Sequence, residues 1–89
     1  MNAAPTLRHI GTARFAICGN DYTTYSNGTV DMRCGRNRTV RVSIDKTTDT
    51  YSVRRIAGKG INERTLAEVH GLCADVLADW ATELSKSEA

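Results

Sequence analysis

Proline is nearly absent. Pro5 is the only one, so nothing beyond the first few residues has its φ locked or its backbone donor removed. Long apolar runs are missing as well. No stretch approaches the roughly 18 residues that mark a membrane span, and Met1–Pro5 lacks the charged-then-apolar layout of a secretion signal. Aromatics are 6% of the chain, and the two histidines, His9 and His70, are far apart with no cysteines spaced around them as in a zinc site. Cysteine is sparse and odd in number. Cys18, Cys34 and Cys73 contain no C-x-x-C pair, so they read as reduced thiols of a cytoplasmic protein, with a Cys18–Cys34 bridge as the alternative.

What is there fits one small globular domain. The 89 residues are 40% hydrophobic and 25% charged, enough for a modest core and too few for a second domain. The net charge is only +2, but it is unevenly spread. Residues 1–60 carry ten Lys/Arg against four Asp/Glu, and residues 61–89 carry two against six. A basic segment is therefore joined to an acidic one.

The acidic segment has the stronger pattern. Leu66, Val69, Cys73, Val76, Leu77, Trp80 and Leu84 recur at three, four and seven residues, one stripe of an amphipathic helix. Asn62 stands at the N-cap, Ile61 and Leu66 have hydrophobic-staple spacing, and Glu63 suits the positive helix end. The pattern thus predicts a helix from Asn62 through Leu84. Ala67, Gly71, Ala74, Ala78 and Ala81 form a small-residue strip beside the stripe. It fits tight packing on a sheet or a homodimer contact through Ala67, Gly71, Ala74 and Ala78.

Upstream the chain is strand-like. Alternation predicts a strand around Ala13, Phe15 and Ile17, then Tyr22–Ser26, an Asn27-Gly28 hairpin turn, and Thr29–Cys34. Val40, Val42 and Ile44 alternate with Thr39, Arg41 and Ser43, and Thr50–Ile56 follows the turn at 45–49. The expected inward set is Phe15, Ile17, Val30, Met32, Val40, Val42, Ile44 and Val53. Short connections make this an antiparallel meander of four strands, or five, under one C-terminal helix: a two-layer α+β fold. Residues 1–6 are expected to form a flexible arm, 7–85 the domain and 86–89 a frayed end.

Catalytic patterns are weak. His70 and Cys73 share a helical face, but a thiol in the core stripe is inert. Asp75 and Asp79 read as a solvated face. Gly58-Lys59-Gly60 lacks the length and the parallel-sheet context of a nucleotide-binding P-loop and reads as a strand-to-helix joint. No enzyme activity, cofactor or metal is expected.

The informative cluster is basic. Arg33, Arg36, Arg38, Arg41, Arg54, Arg55 and Lys59 fall on adjacent strands and turns, with Tyr22 and Tyr25 as candidate aromatic anchors. Such a face suits a protein partner, since arginine and tyrosine anchor interfaces. It equally suits DNA or RNA, since cations can track a phosphate backbone. In layout, with one domain, a meander, a terminal helix and no catalytic constellation, the chain resembles small accessory proteins of phages and mobile elements, a group that includes anti-CRISPR inhibitors. That resemblance implies a cytoplasmic inhibitor that covers a surface of a host nucleic-acid-handling complex. It rests on no motif and assigns no residue a role.

Overall fold

A computed structural model describes residues 4–35, 37–58 and 60–86. Two short helices, α1 (Ala4–Ile10) and α2 (Ala13–Ile17), precede five strands, β1 (Tyr22–Thr24), β2 (Val30–Gly35), β3 (Arg38–Asp45), β4 (Thr50–Ala57) and β5 (Arg64–Leu72). A final helix, α3 (Ala74–Ser85), closes the chain. The strands form one antiparallel sheet in sequence order, β1-β2-β3-β4-β5, as a meander with short turns must. The fold is α+β in two layers, with all three helices on one face of an open sheet.

The central strands have the expected phase. Val30 pairs with Val42, Met32 with Val40 and Val42 with Val53, and all five residues are fully buried under the helices. Each such side chain contributes about 1.5–3 kcal/mol through removal from water. α3 adds Leu77, Ala81 and Leu84 at helical spacing. The β1–β2 connection turns over Ser26-Asn27-Gly28, with Gly28 in the left-handed region at φ 95°, which glycine adopts without strain.

Three expectations change. The predicted helix from Asn62 is half strand: residues 64–72 pair along β4 as β5, and the helix begins only at Ala74. The register of β5 shifts twice, opposite Tyr51/Val53 and opposite Arg55/Ile56. Such bulges insert extra residues into the pleat. Arg64, Ala67, Val69 and Leu72 therefore meet Ala57, Arg55, Val53 and Tyr51 at spacings of three, two and three. That spacing imitates a helix.

The predicted first strand is the pair α1 and α2, divided at Gly11, whose φ is 62°. Thr6, Ile10, Ala13 and Ile17 carry the helical four-three-four spacing, and the alternation seen through Phe15 is incidental. Phe15 is 60% exposed rather than inward. Ile44, also expected inward, is only partly buried at the edge of the core.

The third change concerns the N-terminal arm. Residues 4–6 belong to α1, and Thr6 is buried, with its hydroxyl donating to Gly28 O at 2.9 Å. His9 Nδ1 lies 2.6 Å from the Tyr51 hydroxyl. Residues 1–3, and 87–89 of the expected frayed end, lie outside the described residues. Lys86 is described, as the C-cap of α3.

Candidate partner-binding face

The helices do not cover the opposite side of the sheet, although Ile56, which pairs with Thr39 there, is buried. By register that outer face carries Thr23 (β1), Asp31 and Arg33 (β2), Thr39, Arg41 and Ser43 (β3), Ser52 and Arg54 (β4), and Glu68 (β5). Alternation in the central strands sends every second residue here, which is why Arg33, Arg41 and Arg54 share it.

Each of these arginines meets a carboxylate. Arg33 Nε is 2.6 Å from Asp21 Oδ1, and its Nη2 donates to Thr23 Oγ1 at 3.1 Å. Arg41 is doubly engaged. Its Nε and Nη2 donate to the two Asp31 oxygens at 2.7 and 3.1 Å, and its Nη1 and Nη2 to the two Glu63 oxygens at 2.8 and 3.2 Å. The Asp31 bonds, then those to Glu63, hold the Arg41 guanidinium well above its ordinary range. Arg54 Nε lies 3.3 Å from Glu68 Oε2. The Tyr25 hydroxyl donates to Asp31 Oδ2 at 3.1 Å, and the Asp31 charge raises the Tyr25 pKa. The acidic C-terminal segment thus folds Glu63 and Glu68 back onto the basic sheet.

Of the other candidate residues, Arg55 lies on the helix side, buried, with Nη1 donating to Leu84 O at 2.7 Å and Ser85 O at 3.0 Å. It satisfies the carbonyl end of α3, whose own last turn has no basic residue. Arg55 is therefore removed from the partner-facing set. Tyr22 and Tyr25 are separated. Tyr25 sits with Asp31 on the outer side, whereas Tyr22 lies on the helix side with the Arg14 guanidinium 4.6 Å from its ring centroid. Arg38 stands at the start of β3. Arg36 and Lys59 lie outside the described residues. The small-residue strip is split: Ala67 and Gly71 are in β5, Ala74 and Ala78 in α3, and Ala81 is in the core. No single helix face presents it.

One constellation is invisible in the sequence. The Ser52 hydroxyl lies 2.9 Å from His70 Nδ1, and His70 Nε2 is 3.4 Å from Glu68 Oε1. The register shift between Tyr51 and Val53 lies where His70 reaches Ser52, and no local motif encodes that. A hydroxyl–imidazole–carboxylate chain is the arrangement that activates a nucleophile. Here the His70 and Glu68 side chains are about half exposed, and His70 lines a shallow groove with Ser43, Lys46 and Arg54. Water screens such a site, and electrostatic catalysis draws its strength from excluding water. The trio laces β4 to β5 with polar contacts on the outer face. Among the described residues no three metal-ligating side chains cluster, and no helix is long and apolar enough to cross a membrane. Comparison with family models, curated proteins and solved structures finds no match.

Proposed function

We propose that the protein is a non-enzymatic binding module that covers a surface of another macromolecule. It would act in the manner of the small phage-type inhibitors, anti-CRISPR proteins among them, that its layout resembles. Its target on this reading is a protein component of a nucleic-acid-handling complex. The charge pattern of the outer face carries the reading. Arg33, Arg41 and Arg54 alternate with Asp21, Asp31, Glu63 and Glu68 in fixed pairs. A laced face offers both signs in a set geometry, which selects a complementary protein surface. A phosphate backbone calls for uncompensated positive charge. Tyr25, half exposed and tethered to Asp31, supplies an aromatic anchor beside the ladder.

The test uses Arg33→Glu with Arg54→Glu, because neither arginine covers a buried carboxylate. The double variant is expected to keep its circular dichroism and cooperative unfolding. It should lose the protein that the wild type retains in affinity capture from native-host lysate, identified by mass spectrometry. Equal retention of that protein by both would remove the outer face from the mechanism.

A further inference from the structure

Among the described residues, two arginines without an ion-pair partner stand together at the sheet end away from the β3–β4 turn. Register fixes their geometry. Arg38 of β3 pairs with Ala57 of β4, and Ala57 pairs with Arg64 of β5. The two arginines therefore stand in one row on one face, either side of a single methyl group. Neighbouring strands are about 4.8 Å apart, so their Cα atoms are separated by about 10 Å. Two long guanidinium side chains starting from that distance can converge above Ala57. The row lies one step beyond Arg55, past the C-terminal end of α3.

Between them is a notch of about 280 Å³ lined by Asn37, Arg38, Ala57, Gly58, Asn62 and Arg64. Among the described residues no carboxylate lines it. Among the described residues neither Arg38 nor Arg64 forms an ion pair, and the hydrogen bond of Arg38 goes to its neighbour's carbonyl, Asn37 O, at 3.2 Å. This differs in kind from the outer face, where every described arginine is neutralised. The notch is also built tightly. Gly58 donates to Asn37 O at 3.0 Å and has φ +85°, and a Cβ there would meet Asn62 O at 2.5 Å. Only glycine lets the chain after β4 fold back so closely, and that fold brings Asn62 to the notch wall.

We propose that this notch binds a phosphate group. Each guanidinium presents a planar fork of donors to two phosphate oxygens, and the Asn37 and Asn62 amides can donate to the others. Donors converging from several directions match a tetrahedral oxyanion better than a planar carboxylate. The assignment is independent of the partner-binding face, since it uses none of that face's ion pairs.

Amide-resolved NMR titration of the full chain tests it, with inorganic phosphate, adenosine 5′-monophosphate, an oligothymidylate without terminal phosphate, and acetate as probes. Saturable shifts at Gly58, Asn62 and Arg64 are expected with a phosphate-bearing probe. Arg38→Gln with Arg64→Gln should weaken that binding at least about ten-fold, while Arg54→Gln leaves it nearly unchanged. Binding of phosphate and the mononucleotide identifies a monoester site, and binding of the oligonucleotide alone identifies a backbone diester site. Absence of shifts with every phosphate probe, equal affinity in the double variant, or equal shifts with acetate would each overturn the proposal.

Discussion

Arg55 and Arg41 show how far a single side chain's role depends on its face. They were expected to work together, but Arg55 points under α3 and is 7% exposed, with its Nε unbonded among the described residues. A buried guanidinium is costly, and here the two last carbonyls of α3 offset that cost. Arg55→Ala is expected to destabilise the fold by about 2–3 kcal/mol in urea unfolding, because it strands the buried Leu84 carbonyl and the part-buried Ser85 carbonyl and leaves a void. Arg55→Met should recover the packing part of that loss and leave the carbonyl part. If Arg55→Ala unfolds at the wild-type midpoint, the cap carries no weight. Tyr25 provides the pH-dependent case. With Asp31 raising its pKa, the folded state keeps the phenol protonated to higher pH than the unfolded chain does. The folded state then binds more protons, so this contribution to stability is present below the ordinary tyrosine range and is lost as pH rises through the raised value. Asp31→Asn removes the carboxylate and leaves Arg41 facing the phenol. Ultraviolet titration should then show Tyr25 ionising at lower pH than in wild type, and an unchanged or upward-shifted curve would break the assignment.

At the scale of elements, legibility followed the regularity of the pleat. β2, β3 and β4 were readable because Val30/Met32, Val40/Val42 and Tyr51/Val53 alternate without interruption and are all buried. β5 was not, because its two register shifts replace a period of two by spacings of three, and the true helix that follows extends the same rhythm. α1 and α2 were hidden by their brevity, since four-residue spacing over so short a run competes poorly with chance alternation. The outer-face arginines were legible for the same reason as β2 to β4. The Ser52–His70 contact and the Arg38–Ala57–Arg64 row were not, because both depend on where β5 docks. Gly71 separates the strand and helix readings by sign. In a helix interior, Gly71→Ala would stabilise by roughly 1 kcal/mol. At the observed φ of +71° it forces a side chain into the left-handed region, although nothing lies within 4 Å of the new Cβ. Thermal or chemical unfolding should therefore show a loss of about 1 kcal/mol. A gain in stability would mean that residues 64–72 are not a bulged strand.

For the whole molecule, the separation of charge along the sequence becomes neutralisation in space. The basic first sixty residues build most of the sheet, and the acidic remainder returns Glu63 and Glu68 to its arginines. This changes what the protein can do with a nucleic acid. Of the seven cations that the sequence offers as one patch, Arg33, Arg41 and Arg54 are paired and Arg55 is buried. Among the described residues Arg38 remains, and Arg64 joins it from β5; with Arg36 and Lys59, which lie outside the described residues, the set numbers four at most. Counter-ion release on a single strand follows about 0.7 per neutralised phosphate, so seven free cations would give a slope near −5 in log affinity against log salt, whereas four give no more than about −3. Binding to a mixed single-stranded oligonucleotide, measured by fluorescence anisotropy at several salt concentrations, is expected to be weak and to have the shallower slope. Glu63→Gln with Glu68→Gln should steepen it, by removing the carboxylates that pair with Arg41 and Arg54. A slope near −5 at neutral pH would mean that the ion pairs open on contact with phosphate. The laced face would then be a nucleic-acid surface held closed by its own carboxylates, and direct nucleic-acid binding would replace protein docking as the better account of that face.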